Sequence, residues 1–493
     1  MKQFKMLINA DDRFAKIRPE VYGHFAEHLG RCIYDGIYVG EHSEIPNLRG
    51  FRADVIEAFR RIRVPALRWP GGCFAETYRW RDGIGVPEKR PKTINAYWGW
   101  KSDSNRFGTH EFFELCELIG CEPYIAGNLG TGSPRELFEW LTYITSDGDS
   151  DLAEERRKNG RNEPWKLKYL GIGNENWGFG GNMRAEYYAD LYKQFQCFCM
   201  SFSGEKLCKV ACGPNGADYR WTEVLMQNLT PDQAFAISLH YYAVHDWEHK
   251  GSATSFSEAE YADSLRCAYH MDTLLTRHSS VMDRYDPEHR IGITVDEWGN
   301  WYDAEEGDDR GALFQQNTMR DAVTAAVTLN IFNRHADRVV MANLAQAVNV
   351  LQALILTDGP LMLLTPTYHV FDLFKTHQGG EAVYCYSQNT ALSCEVPMLS
   401  SSASVHNGTL TLTLVNCSPD ESAEICCRIC NFDPVSADAE MLSGDPHSHN
   451  TFTENDAVRL MPLESQLTDG ILRTVLPPCT VAAVRLFSSG NPD

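Results

Sequence analysis

Apolar and polar positions follow two different rhythms along this chain. From residue 20 to about 345, short runs rich in β-branched and aromatic residues alternate with longer stretches whose apolar residues recur at helical spacing. Such alternation predicts parallel βαβ units. The strand-like runs are Val21 to Gly30, Val64 to Gly72, Glu122 to Gly130, Lys166 to Asn176, Lys209 to Gly216, Ala234 to Tyr242, Arg290 to Trp298 and Arg338 to Gln346. Between them, Ala53 to Ile62, Thr109 to Ile119, Pro134 to Ile144, Arg184 to Met200, Glu258 to Leu275 and Gln316 to Asn333 carry the amphipathic period of helices. Thr109 with Glu111, and Ser133 before Pro134, are expected to open two of these helices, because a hydroxyl accepts an orphan backbone N–H and proline suits the first turn.

Nearly every strand-like run ends in a polar or aromatic residue beside Gly, Asn, His or Glu. An open doubly wound sheet would also alternate strands and helices, but no GxGxxG follows the first strand and no GxxxxGK[ST] occurs. The pattern therefore predicts a closed (β/α)8 TIM barrel, whose chemistry gathers at the C-terminal rim of its strands. After about residue 370 the rhythm changes to alternating segments, Thr409 to Val415, Ala423 to Ile429, Leu472 to Val475 and Thr480 to Phe487, separated by turn residues. These predict a C-terminal antiparallel β-sandwich of jelly-roll type. Phe4, Met6 and Ile8 alternate in the same way and are expected to add a strand to it. The expected domains are a barrel over residues 18–370 and a sandwich built from 1–17 and 371–493.

Composition narrows the function. A net charge of −21 disfavours nucleic acid, whose recognition needs a basic footprint, and no apolar run approaches a membrane span. The opening segment lacks the continuous apolar stretch of a signal peptide. The 16 cysteines are mostly scattered singly, as buried thiols in a reducing compartment are. A cytoplasmic location is expected. Cys427 and Cys430 have CxxC spacing beside Cys426, but no second pair completes a zinc set, so no metal site is expected. The acidic run Asp303 to Asp309 lacks regular ligand spacing and reads as a solvated loop.

Retaining cleavage of a glycoside needs one carboxylic acid to protonate the leaving oxygen and one carboxylate to attack the anomeric carbon. Glu175, in GIGNEN after the fourth strand, and Glu297, in ITVDEW after the seventh, meet that need. Each follows an apolar strand and is flanked by Asn174, Asn176 and Trp177, or by Asp296, Trp298 and Trp301. A partly desolvated setting of this kind lets two carboxyl pKa values diverge. In the loop after the second strand, Tyr97, Trp98 and Trp100 offer faces on which sugars stack, or simply loop packing.

The motifs RWPGG, AYWGWKS, NLGTG, GNEN, SLHYY, DEWGNWY, HADRV and LAQAVNV occur in that order through the barrel. Together they resemble glycoside hydrolase family 51, the α-L-arabinofuranosidases. The resemblance implies Glu175 as acid/base and Glu297 as nucleophile, with no cofactor. It also implies a sugar-binding shell of Glu27, Arg68, Asn174, His240, Tyr242, Trp301 and Gln346, to which the loop aromatic Trp98 is added as a candidate stacking face. Asn174 is suited to the sugar 2-hydroxyl, Tyr242 to donating to the nucleophile, and His240 to tuning the acid/base. Arg68 has a second reading, pairing with a core acid, and His240 that of a rim histidine.

One position departs from the common pattern. Many family members carry Asn after the double glycine, where this chain has Cys73, and some members with the cysteine are endoglucanases. The leading expectation is an exo-acting α-L-arabinofuranosidase on arabinan or arabinoxylan oligosaccharides. A retaining endo-β-1,4-glucanase or xylanase, and a non-catalytic carbohydrate-binding protein, stay open beside it. The resemblance also implies a homo-oligomer, hexameric in bacterial members.

Overall fold

The computed structural model describes residues 1–307, 309–392 and 394–488. Asp308 of the acidic run and residues 489–493 at the end of the expected sandwich lie outside the described residues. No helix among the described residues is long and apolar enough to cross a membrane.

Strand β1 (Lys2–Lys16) precedes the barrel strands β2 (Gly23–Phe25), β3 (Ala66–Trp69), β4 (Glu122–Gly127), β5 (Tyr169–Ile172), β6 (Cys208–Ala211), β7 (Ala236–Tyr242), β8 (Gly292–Gly299) and β9 (Val339–Ala345). Strands β2 to β9 close into a barrel in sequence order, each parallel to its neighbours, and β9 pairs with β2 at Asn343–Gly23 to complete the ring. Every one of the eight predicted runs supplies a barrel strand. Most strands end inside the polar tail of their run, which leaves Glu27 and Glu175 on turns, whereas β7 and β8 continue through it and carry His240, Tyr242 and Glu297 on the strands themselves.

The helices are α1 (Ala53–Arg61), α2 (Thr109–Ile119), α3 (Pro134–Thr145), α4 (Asp151–Lys158), α5 (Ala185–Phe198), α6 (Tyr219–Asn228), α7 (Glu258–Asp283), α8 (Met319–Arg334) and α9 (Pro366–Phe374). Ser133 caps α3, its hydroxyl accepting from Glu136 N at 3.2 Å. Thr109 does not cap α2. Gly108 occupies the cap position, Glu111 accepts from its N–H at 2.8 Å, and the Thr109 hydroxyl instead accepts from Trp140 Nε1 at 3.0 Å in the core. Helices α4, α6 and α9 form where no amphipathic run is predicted. α4 is polar on most faces and α9 is buried along its whole length, so neither shows a one-sided apolar stripe.

Downstream strands β10 (Glu381–Ser387), β11 (Leu399–His406), β12 (Thr409–Asn416), β13 (Ala423–Cys430), β14 (Pro434–Ser443), β15 (Met461–Pro462), β16 (Ser465–Thr468), β17 (Ile471–Leu476) and β18 (Thr480–Ser488) join β1 in one hydrogen-bonded order, β15-β14-β18-β12-β11-β10-β1-β13-β17-β16. Phe4, Met6 and Ile8 of β1 meet Leu410, Leu412 and Leu414 of β12 and Leu472 and Leu476 of β17 in a second core, which makes the unit a sandwich. One pairing is not antiparallel: β1 runs parallel to β13, from Lys2–Ala423 to Asn9–Cys430.

The sandwich is packed against the barrel through α8. Leu410, Leu412 and Leu414 face the second core, while Thr411 and Thr413 on the opposite face are buried as well. Asn330 of α8 donates to Ser400 Oγ at 3.2 Å and accepts from the hydroxyls of Ser402 and Thr413, both at 2.7 Å. Asn333, one turn on, donates to Ser402 Oγ at 3.0 Å and accepts from Tyr22 OH at 2.9 Å. Removing one partner of such a buried cluster strands the others without water. Asn330→Ala is therefore expected to lower unfolding stability by about 2–4 kcal/mol, measured by denaturant titration, with kcat per folded molecule unchanged. A stability loss below about 0.5 kcal/mol would show that the interface does not depend on this cluster.

Candidate active site

The cavity at the C-terminal mouth of the barrel has a volume of about 420 Å³, within the range of small-molecule sites. Its lining includes Glu27, Cys73, Trp98, Glu175, His240, Tyr242, Glu297, Trp301 and Gln346. These nine predicted residues come from turns and strand ends all around the ring. A larger groove, of about 810 Å³, lies at the other end of the barrel where strands begin, beside Val64, Glu122 and Lys166, away from this chemistry.

Glu297 is carried on β8 itself. The register between β7 and β8 slips between Ser238–Thr294 and His240–Glu297, so two steps along β7 face three along β8. That irregularity breaks the strict alternation of a strand, so that both neighbouring carboxylates reach the Arg68 side, at different heights. Asp296 turns into the barrel, accepting from Tyr124 OH at 2.6 Å, while Glu297 turns to the cavity. Its Oε1 accepts from Arg68 Nη1 at 2.9 Å and its Oε2 from Tyr242 OH at 2.8 Å, with His240 Nδ1 at 3.6 Å. Burial alone would raise its pKa. The charges of His240 and Arg68, with the Tyr242 and Arg68 hydrogen bonds, outweigh that and hold it below the ordinary glutamate value.

Glu175 sits on the turn after β5 with φ +44°, a left-handed conformation that costs a non-glycine residue strain. Its carbonyl accepts from Gly178 N at 2.8 Å and Gly180 N at 3.0 Å, which tightens the turn. The carboxylate meets His240 Nδ1 at 3.0 Å through Oε1 and the Cys73 thiol at 3.8 Å through Oε2. One ligating atom each from Glu175, His240 and Glu297 lies within 4.8 Å of the others. The two carboxylates are thus gathered at one point of the cavity, as a pair acting on one glycosidic bond must be. Among the described residues no other trio of His, Cys, Asp or Glu side chains is close enough to hold a metal ion, and here a cation would compete with the bound Arg68 guanidinium.

His240 is raised in pKa: burial works against its charged form, but Glu297 and Glu175 overcome it. The Cys73 thiol is pushed well above its usual range by burial and by the neighbouring carboxylates, so it stays protonated and faces Glu175 as a donor. Glu27, surrounded by neutral donors, behaves oppositely to Glu297. Burial and the charge of Glu297 push it up to about 7, although it accepts from Gln346 Nε2 at 2.9 Å, Trp98 Nε1 at 3.2 Å and Phe74 N at 3.3 Å. Gly72 forms the floor, where a Cβ would come within 2.9 Å of Glu297 Oε1.

Two of the predicted sugar contacts do not line the cavity. Arg68 and Asn174 are each 1% exposed and lie behind the carboxylates, Arg68 Nη2 donating to Asn174 Oδ1 at 2.6 Å. Arg68 thus takes its second reading, as the partner of buried acids. Trp100 is 76% exposed and does not line the cavity, and Tyr97 donates to Phe179 O at 2.9 Å. Trp98 does join an aromatic wall around Trp301, whose ring lies 6.5 Å from that of Trp98, 5.2 Å from Tyr242 and 5.5 Å from Trp247. Trp247 and Asn215 also line the cavity and were missed. Trp247 lies in the loop that follows SLHYY, where an isolated aromatic is a weak signal. Glu76, buried behind the site, was missed too.

The same architecture is found in known proteins. A family model described as alpha-L-arabinofuranosidase C-terminal domain matches residues 296–480, and one described as alpha-L-arabinofuranosidase 1 domain matches residues 58–259. An intracellular exo-alpha-L-arabinofuranosidase of Bacteroides ovatus is 45% identical over 98% of this chain and 96% of its own. The crystal structure of the family 51 arabinofuranosidase from Xanthomonas axonopodis pv. citri superposes with a TM-score of 0.96 at 41% identity, over 99% of this chain and 100% of that one. The chain belongs to glycoside hydrolase family 51. A second family 51 arabinofuranosidase structure, from Thermotoga petrophila, matches at TM-score 0.87 and 31% identity over 98% of this chain and 99% of that one.

Within this family 51 site, Tyr242 is the donor to Glu297 that can be removed without changing side-chain shape. Losing a hydrogen bond to a charged group costs about 1.5–3 kcal/mol, or about one to two pKa units. The hydroxyl favours the ionised form of Glu297, so its loss raises the pKa of that carboxyl, and the acid limb of kcat/KM moves to higher pH. Tyr242→Phe is expected to shift that limb upward by about one unit or more in a pH–rate profile. A limb left in place would mean that the tyrosine does not act on a carboxylate that governs turnover.

Proposed function

We propose that this family 51 enzyme is an exo-acting α-L-arabinofuranosidase that works by double displacement, with Glu297 as nucleophile and Glu175 as acid/base. The observation that carries this reading is the asymmetry of two adjacent glutamates. Glu297 is held ionised by Arg68 and Tyr242. Glu175 has the hydrogen-bonding partners His240 and Cys73 and no guanidinium within ion-pair distance among the described residues.

In the first step Glu297 attacks the anomeric carbon as the glycosidic C–O bond breaks, and the leaving oxygen takes the proton of Glu175. In the second, Glu175 takes a proton from water, the water oxygen attacks the same carbon, and Glu297 departs. Two inversions give retention. Glu27 and Gln346 are placed for sugar hydroxyls, and Trp98, Trp301 and Trp247 for the sugar and its neighbour. Gln346 Oε1, on the cavity wall, is buried without a hydrogen-bond partner among the described residues, which supports a hydroxyl-rich ligand beside it.

The names of the relatives support arabinose-containing oligosaccharides as substrate and, for the one from Bacteroides ovatus, exo action inside the cell. Cytoplasmic work and a homo-oligomer, up to a hexamer, belong to the same proposal. Glucan or xylan cleavage with the same glutamates, and binding without catalysis, have no such support.

Glu297→Ala is expected to abolish turnover, since no glycosyl-enzyme forms without a nucleophile. Glu175→Ala should lower kcat/KM by about 10²–10⁴-fold for phenyl α-L-arabinofuranoside but far less for the 2,4-dinitrophenyl glycoside, whose leaving group needs little protonation. Equal losses on the two substrates would remove Glu175 from the acid role. Cys73 is proposed to tune specificity, since a thiol is a weaker partner than the asparagine of other members. Cys73→Asn should change the kcat/KM ratio between arabinofuranosides and other nitrophenyl glycosides by roughly twofold to tenfold, the scale of one hydrogen bond. An unchanged ratio in a folded variant would assign the cysteine to packing alone.

A further inference from the structure

Glu76 is a carboxylate the proposed mechanism does not use. It sits in the short turn Cys73–Thr77 after β3, is 1% exposed, and reaches over the ends of the next two strands. Its Oε1 accepts from Asn174 N at 2.5 Å and Asn176 Nδ2 at 2.9 Å, the residues on either side of Glu175. Its Oε2 accepts from Leu129 N at 2.8 Å and from Gly130 N. A Cβ on Gly130 would lie 3.0 Å from that oxygen, so the turn after β4 is shaped to let the carboxylate in.

All four donors are neutral amides. Burying a carboxylate this way is costly, and burial pushes Glu76 up to about 7 despite the hydrogen bonds from Gly130, Asn174, Asn176 and Leu129. An arrangement meant only to fill space is met more cheaply by an apolar side chain. What the carboxylate uniquely does is fasten both neighbours of a residue held at φ +44° to the adjoining strand end.

We propose that Glu76 is a positioning residue for the acid/base: by clamping Asn174 and Asn176 it holds the strained turn that presents the Glu175 carboxyl to the glycosidic oxygen. Released from the clamp, residue 175 relaxes toward negative φ and its carboxyl leaves its place beside His240. A displacement of about 1 Å at a reacting group costs on the order of 10²-fold in rate. The inference rests on Glu175 being the acid/base.

The test uses the full chain with two variants. Glu76→Ala removes all four acceptor contacts. Glu76→Gln keeps the volume and, whichever way the amide faces, opposes N–H to N–H at one of the two turns. In each variant that unfolds cooperatively on heating, kcat/KM is measured on phenyl and 2,4-dinitrophenyl α-L-arabinofuranosides, and kcat on the latter with and without azide. The expected result for Glu76→Ala is a loss on the phenyl glycoside larger by roughly 10- to 100-fold than on the dinitrophenyl glycoside. Azide should then raise kcat, because it attacks the anomeric carbon of the glycosyl-enzyme and displaces Glu297 without needing a base. Glu76→Gln should move in the same direction by a smaller factor.

Equal losses on the two aglycones, or no azide effect, overturn the proposal, as does failure of both variants to fold, which would assign Glu76 to the scaffold. Glu175→Ala run in parallel separates the two claims. If it too lacks leaving-group dependence, the acid/base assignment itself has failed; if it shows that dependence and the Glu76 variants do not, only the positioning role is lost.

Discussion

Arg68 donates to Glu297 at 2.9 Å and to Asn174 at 2.6 Å, lies 3.9 Å from Asp296, and rests its face on Phe25 at 4.5 Å. This one buried guanidinium makes a mouth crowded with carboxylates possible. Buried acids left to each other protonate, and Glu27, out of reach of Arg68, is pushed up to about 7. Glu297, in reach of it, is pulled down instead. The contrast between Glu27 and Glu297 therefore follows which carboxylate the guanidinium touches. It also explains why Arg68 sits behind the cavity: a cation serving two buried acids and an amide has no free face for a sugar.

The scaffold repeats that economy at the level of turns. Functional residues are set by local backbone shape at the strand ends: a register slip within β8 for Glu297, a left-handed turn residue for Glu175, a side-chain-free floor at Gly72. Clamps between neighbouring turns keep these shapes, as Glu76 ties the ends of β3, β4 and β5. On the outside, α8 joins barrel and sandwich through an amide and hydroxyl cluster rather than a purely apolar seam. Hydrogen bonds of this kind fix direction as well as distance, and set the angle at which the two units meet.

Much of this was legible in the chain before any coordinates. Eight β-rich runs with polar tails, and glutamates at the tails of the fourth and seventh, led to the barrel and to the adjacency of Glu175 and Glu297. Periodicity reads the side of an element that faces one core, and its failures were of that kind. α9 is buried all round and α4 is polar on most faces. Thr109 was misread because a hydroxyl next to a helix start can serve the core instead of the cap. Glu76 was invisible for a deeper reason. Its partners are backbone N–H groups at Leu129, Gly130 and Asn174, which every residue type supplies, so no sequence pattern marks them.

The place of β1 in the middle of the sandwich sets an order of events during synthesis. Residues 2–16 leave the ribosome ahead of the whole barrel, yet both their neighbours, β10 and β13, lie beyond residue 380. At about 5–20 residues per second, the interval between making this strand and making its partners is roughly 20 seconds to more than a minute. Through that time Phe4, Met6 and Ile8, which end fully enclosed, have nothing to enclose them. Lys2, Lys5, Asp11, Asp12, Arg13 and Lys16, scattered along the same segment, act as charged gatekeepers against pairing with another nascent chain. The barrel can close early, but the molecule is sealed only when its oldest strand is captured by some of its youngest.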